Sequence, residues 1–437
     1  MTAVELEILD DARARSLELM TQRRFGLFIH WGLYSLAARH EWVREREHMQ
    51  DAQYRRYLEF FDPDLYDPRA WVAMAEDAGM KYAVLTTKHH DGFCLWDTAH
   101  TDFSVTSTPA GRDLVRPFVE ALREREMGVG FYHSLLDWQH PQFPIDGMHP
   151  QGNDQAAALV TNQQRDVAVY RDYLHAQVAE LLTRYGPIDE LWFDFSYFDH
   201  VHLGTPVWGS KGPETWGSEK LLAMIRRLQP QTLVNDRLGI PGDFLTAEQY
   251  QPAQALTAGG RPVLWEACQT INGSWGYDRD NTDFKSPELL LRMLVDTVSK
   301  GGNLLLNVGP DGRGRFDPAA VDTLRGIGRW MNLHDKAIHG AGPSDFPAPP
   351  DCRYTQRGNR LYLHLFAWPY EAVHLVGLAG RVRYAQFLHD SSQVRTEVLP
   401  PGHESAVATA EGNALTLWLP VRQPDVAIPV IELFLED

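Results

Sequence analysis

Asp194 ends the apolar run Leu191-Trp192-Phe193, at the point where a buried strand would open into a loop. A carboxylate there is costly unless it is paired, hydrogen-bonded or used. Its neighbours Trp192, Phe193, Phe195, Tyr197 and Phe198 are aromatic, a wall suited to the face of a bound sugar. The plain alternative is an Asp that caps the next loop, and the aromatic density favours a nucleophile over it. In parallel α/β folds the C-terminal mouths of the strands are where chemistry is done. Arg237, in Asn235-Asp236-Arg237, follows the next predicted strand, where a guanidinium would hold such a carboxylate ionised. His30, His89 and His90 sit at two further strand mouths, a pattern that also admits metal. A metal site needs three or four convergent ligands, and neighbours along a strand point in opposite directions. On that ground His89 and His90 are expected to serve poorly as joint ligands.

The elements that must position these groups alternate. Residues 25–32, 82–88, 129–134, 191–193, 232–236, 263–266 and 303–308 read as short buried strands. Helical stretches lie between them: Asp67-Pro68-Arg69 opens one that runs to Met80, and Leu114, Phe118 and Leu122 share the face of another. Val167, Tyr170, Leu174, Val178 and Leu181 stripe a longer helix that leads to Asp194, and further helices are read at 218–228 and 287–300. So many strand–helix units in series predict an α/β fold, a (β/α)8-like TIM barrel, over residues 1–342. Prolines 343, 347, 349 and 350 then mark a linker, and only strand-like pieces follow. They predict a small antiparallel β-sandwich over 343–437. The loop at 135–154, rich in Pro, Gly and His, is long enough to be functional.

Composition narrows the partners. The 437 residues carry a net charge of -17, which argues against nucleic acid and anionic membranes. Thirteen Trp and 18 His suit recognition of a polar ring. Cys94, Cys268 and Cys352 lie far apart without CxxC spacing, as expected of reduced thiols in the cytoplasm. No basic start with an apolar run and no membrane-length segment is seen, so a soluble, cytoplasmic protein is expected. The sequence leaves a homo-oligomer open.

Seven pieces in one order resemble the retaining α-L-fucosidases, the twenty-ninth glycoside hydrolase family: FGLFIHWG, KHHDGF, LWFD, NDR, TAEQY, SWGY and KGGNLLLNVGP, from about Arg24 to Arg313. The resemblance implies a barrel followed by a sandwich, no cofactor or metal, and release of L-fucose from fucosylated oligosaccharides or glycoconjugates with retention. By motif, Asp194 would be the nucleophile and Glu248, in TAEQY, the general acid/base; Glu266, in WEACQ, is the rival. The resemblance gives His30, His89 and His90 sugar hydroxyls to bind, and gives Glu41-Trp42 the task of holding hydroxyls and closing the subsite. Phe28, Trp192 and Trp275 are the candidates for apolar surface against the methyl group of a 6-deoxy sugar. Tyr132 and His133 fall in the YHS piece, where the family often carries a second Tyr and this chain has His133.

The physical argument runs beside it. Retaining hydrolysis needs two carboxyl groups about 5–5.5 Å apart, one ionised and one protonated. Glu248 is expected on a loop after Gly242-Asp243-Phe244, free to swing into apolar surroundings that favour its protonated form. Glu266, within a strand beside Trp265, reads more simply as a buried structural partner. Two other classes stay open: a metal-dependent barrel hydrolase on His30, His89, His90 and Asp194, and a catalytically silent sugar-binding relative.

Overall fold

A computed structural model of the chain describes residues 3–197, 201–202, 205–399 and 414–436; Phe198 lies outside them. Eight parallel strands form one curled sheet: β1 Phe25–Ile29, β2 Tyr82–Lys88, β3 Gly128–Ser134, β4 Glu190–Asp194, β5 Leu233–Val234, β6 Leu245–Glu248, β7 Trp265–Thr270 and β8 Asn303–Val308. Their order is β5-β4-β3-β2-β1-β8-β7-β6. The two ends meet at a parallel bridge between Asn235 and Phe244, where the Asp243 amide donates to the Val234 carbonyl at 2.7 Å. The sheet thereby closes into a barrel.

The period-2 alternation of each strand sorts its side chains into two layers. Phe28, Val84, Tyr132, Trp192, Cys268 and Leu305 pack together inside the barrel. Phe131, Leu191, Phe193, Ala247 and Ala267 face outward into the larger core beneath the helices. Those helices are α2 Pro68–Asp77, α3 Val115–Glu124, α4 Val167–Arg184, α5 Ser218–Leu228, α6 Pro287–Ser299 and α7 Pro318–His334. Their starts are written in the sequence. Asp67, Ser286 and Asp317 each accept a hydrogen bond from the first turn, and Pro follows each as the first helical residue. The N-terminal helix α1, Ala3–Arg23, covers the barrel floor, where Met20 joins the interior cluster and Asn303 donates to its carbonyl at 2.8 Å.

Two readings of the sequence are corrected. β6 is a strand, not a loop, and Glu248 is its last residue. Leu-Thr-Ala-Glu shows no apolar run, because only Ala247 faces the packed side, so no hydrophobic pattern marked it. The barrel also departs from regular strand–helix alternation. A single 3-10 turn, Asp236–Leu238, links β5 to β6, and a short hairpin at 257–262 leads toward β7. The long loop at 135–154 is present as expected and ends where Asp154 caps a short helix, Gln155–Asn162.

The C-terminal region is the expected sandwich. Cys352–Arg357, Arg360–Leu365, Val430–Leu435 and Val382–Phe387 form one antiparallel sheet. Ala372–Val376, Ala414–Trp418 and Arg395–Glu397 form the other. It is welded to the barrel: Tyr362, Ile428 and Val430 belong to the barrel's outer core. Trp330 of α7 donates to the Ile428 carbonyl at 2.9 Å, and Asp296 of α6 accepts from Arg353 at 2.8 Å. Ile428 is fully buried at this seam. Ile428→Ala should therefore cost about 2–5 kcal/mol in a chemical denaturation curve and melt both units together. A separate, earlier transition of the sandwich alone would contradict this.

Candidate active site

The strand mouths converge on one pocket, and Asp194 stands at its centre. As the last residue of β4 it follows the inward phase of Trp192. The chain then turns sharply: Phe195 adopts φ +74, a strained conformation for a bulky residue, and its amide donates to Asp194 Oδ1 at 2.9 Å. Arg237 Nη1 donates to the same oxygen at 3.0 Å, and the Tyr132 hydroxyl donates to Oδ2 at 3.0 Å. His90 Nε2 lies 3.8 Å from Oδ2.

The other end of the same guanidinium reaches Glu248, with Nη2 donating to Oε2 at 2.8 Å. Arg237 is aimed by a third bond, Nε to Thr246 Oγ1 at 2.8 Å, and it lies 5.4 Å over the Trp192 ring. One cation from the short turn after β5 thus spans the carboxylates that end β4 and β6. Glu248 is 37% exposed and ion-paired. The expected swing into apolar surroundings is therefore not what a strand end beside Arg237 provides.

Burial pushes the Asp194 carboxyl up to about 6, against the opposing pull of Arg237 and with a further push from Glu248; Tyr132 and the Phe195 amide also oppose it. Desolvation outweighs the cation in the balance. The group remains ionised at neutral pH.

Imidazoles and aromatic rings build the walls. His30 is held through Nδ1 by Asn307 Oδ1 at 2.7 Å, and His90 through Nδ1 by Ser134 Oγ at 2.6 Å. Among the described residues, no hydrogen-bond partner reaches the buried His89 Nδ1. Burial lowers His30 to about 3 and both His89 and His90 well below the usual histidine range. All three are neutral at physiological pH, each with a ring able to donate on one side and accept on the other. His89 and His90 do face the pocket together, with ring centroids 4.0 Å apart. β2 ends at Lys88 and the two follow in a turn, so strand alternation does not apply to them. Among the described residues, no three His, Cys, Asp or Glu side chains converge as a metal would require.

Phe28, Trp42, Trp192, Phe195 and Trp275 supply the apolar surface. Trp42 packs on His90 and Phe195 with centroids 5.0 and 5.3 Å away. Glu41 lies behind this wall and accepts from the Gly276 amide at 2.7 Å, which ties the β1 loop to the SWGY loop. A Cβ on Gly276 would come within 3.0 Å of Glu41 and 2.9 Å of Tyr34, so that approach requires glycine. Burial pushes the Glu41 carboxyl up to about 7, opposed by that amide.

Two candidates are placed elsewhere. His133 points outward from β3, against Thr87 and Trp96 under the helices, because it is one residue out of phase with Tyr132. Glu266 lies inside the barrel, one layer below the mouth. Strand register pairs Glu248 with Cys268 and leaves Glu266 opposite Thr246. It accepts from Tyr82 and from Trp192 Nε1 at 3.0 Å and does not line the pocket. Asn307, Ser134 and Thr246, which orient the site, escaped the sequence reading although all three lie in or beside the quoted motifs.

A family model, Alpha-L-fucosidase, matches residues 7–336. The chain belongs to the α-L-fucosidase family. The plasma alpha-L-fucosidase of Rattus norvegicus is 29% identical over 434 residues, spanning 91% of this chain and 86% of that protein. Alpha-L-fucosidase isoenzyme 1 from Paenibacillus thiaminolyticus superposes with a TM-score of 0.89 at 42% identity, covering 98% of this chain and all of the other. A Bacteroides thetaiotaomicron alpha-L-fucosidase, solved as a trapped covalent intermediate, superposes at 0.82 with 26% identity and covers 97% and 96% of the two chains.

The donors on Asp194 give a direct test within this fucosidase fold. Tyr132→Phe removes one hydrogen bond to the ionised form, so the Asp194 carboxyl should titrate at higher pH than about 6. Carboxyl-carbon NMR would read this, and an unchanged or lower titration point would count against the hydrogen bond.

Proposed function

We propose that this family member is an exo-acting, retaining α-L-fucosidase that releases L-fucose from fucosylated oligosaccharides or glycoconjugates. Asp194 attacks the anomeric carbon as a carboxylate, while Glu248 gives its proton to the leaving glycosidic oxygen. A fucosyl ester of Asp194 results. Glu248, now a base, takes a proton from water, and the hydroxide equivalent displaces Asp194 to release fucose and restore both groups.

The observation that carries this reading is the single guanidinium shared by Asp194 and Glu248. A bridge of that size fits the short spacing of a retaining pair, roughly 5–5.5 Å, better than the wider gap an inverting pair leaves for water. The relative trapped as a covalent intermediate with 2-fluoro-fucosyl fluoride supports the same route. Neutral His30, His89 and His90 can exchange hydrogen bonds with sugar hydroxyls, with Glu41 behind them. Phe28, Trp192 and Trp275 offer apolar surface to the methyl group, while Trp42 closes the rim. A compartment is proposed on the same footing: three free, buried thiols fit the reducing cytoplasm.

A 2-deoxy-2-fluoro-α-L-fucosyl donor should label Asp194, read by peptide mass spectrometry, and Asp194→Ala should lose at least about 10³-fold in kcat on a nitrophenyl α-L-fucoside. Label on any other carboxylate, or near-normal turnover in Asp194→Ala, would remove Asp194 from the role. The pH dependence carries its own sign. The nucleophile works only when ionised, so kcat/KM should fall as pH drops through about 6, by about tenfold per unit below it. An acid limb near the ordinary aspartate value would mean that burial does not govern this group.

A further inference from the structure

Beneath the sugar pocket, inside the barrel, Glu190 and Glu266 face each other without touching the chemistry above; each is 1% exposed. Glu266 already accepts from two donors, the Tyr82 hydroxyl at 2.5 Å and Trp192 Nε1 at 3.0 Å. Among the described residues, neither oxygen of Glu190 meets a donor from any other side chain or amide. A carboxylate without donors is very costly inside a barrel, so Glu190 is accommodated as the neutral acid, with its O–H directed at Glu266. Burial drives both groups upward, Glu190 well above the ordinary range and Glu266 to about 7. Asp189 and Arg23 also face Glu190, with opposite effects on it, and Tyr82 faces Glu266.

Trp192 connects this pair to the reaction. Its N–H is held below by Glu266, while its ring forms part of the pocket. Tyr132 stacks on that ring at 5.9 Å and 18°, and the Arg237 guanidinium lies over it at 5.4 Å. Those are two of the groups that hold Asp194.

We propose that Glu190 and Glu266, sharing one proton, are positioning residues that set the tilt of Trp192 and through it the grip of Tyr132 and Arg237 on Asp194. The inference rests on Asp194 being the nucleophile, and it gives Glu266 a task other than acid/base catalysis. The full-length enzyme and a nitrophenyl α-L-fucoside supply the test. Glu266→Gln offers one acceptor oxygen to two donors. It should lower kcat by about tenfold or more with KM within about twofold, and should move the acid limb to higher pH as the donors on Asp194 loosen. Trp192→Phe keeps a ring but has no N–H. It should show the same loss and add little to it in the double variant, and it stands alone as the test if Glu266→Gln fails to fold. Glu190→Gln places an N–H where the neutral acid has its O–H, and as the conservative variant it should keep kcat and the acid limb near wild type.

Added azide should restore turnover to Glu248→Ala, which lacks the acid/base, and leave Glu266→Gln unchanged. Wild-type kcat with an unmoved acid limb in Glu266→Gln or Trp192→Phe would overturn the proposal, as would azide rescue of Glu266→Gln. A loss in Glu190→Gln equal to that in Glu266→Gln would overturn the shared proton. If the wild-type enzyme released no fucose, the reading of Asp194 and Glu248 itself would fail, independently of these variants.

Discussion

One guanidinium holds the mouth of this barrel together. Arg237 sits between two carboxylates, and three hydrogen bonds fix it. Without that cation, carboxylates at Asp194 and Glu248 would repel each other. The balance stays close even with it: Asp194 titrates near 6, above its ordinary range, because desolvation exceeds the attraction. A carboxylate so placed is ionised near neutrality yet poorly stabilised, which suits the proposed nucleophile, since forming an ester would remove its charge.

The rest of the barrel mouth follows from placing that cation. Arg237 comes from a turn only three residues long, where a crossover helix would otherwise stand, and that turn joins β5 to β6 beside the bridge that closes the barrel. A helix there would have carried the chain out to the surface before returning. The omission keeps Arg237 and Glu248 on adjacent strand ends, and Thr246 on the same strand aims the guanidinium. Strain is accepted beside Asp194: Phe195 takes a left-handed backbone so that its amide can turn back onto Asp194. Its ring is then held by Trp42, His90 and Tyr197.

The imidazoles illustrate a second constraint. Bonded on one side by Asn307 and Ser134, His30 and His90 are fixed in orientation, and burial keeps them uncharged. A neutral ring with one face committed to the protein offers the other to a hydroxyl with a defined polarity. The side chains that perform this fixing are small, and polar residues of that kind carry no signal along a single sequence.

What the sequence determined by itself was whatever local chemistry dictates. Apolar runs of strand length, Asp-Pro and Ser-Pro helix starts and the switch to strand-only pieces near residue 343 follow from hydrophobic periodicity and capping, which act within a few residues. They were enough to predict a barrel, a sandwich and Asp194 at a strand mouth. Strand β6 was not legible, because closing the barrel, and not its own hydrophobicity, makes Leu245–Glu248 a strand. The positions of Glu248, Tyr132 and His133 were not legible either. Each depends on the phase of one strand against its neighbours, and a shift of one residue exchanges pocket for helix layer. Only the closed barrel sets that phase, and with it which carboxyl groups share a guanidinium and which share a proton.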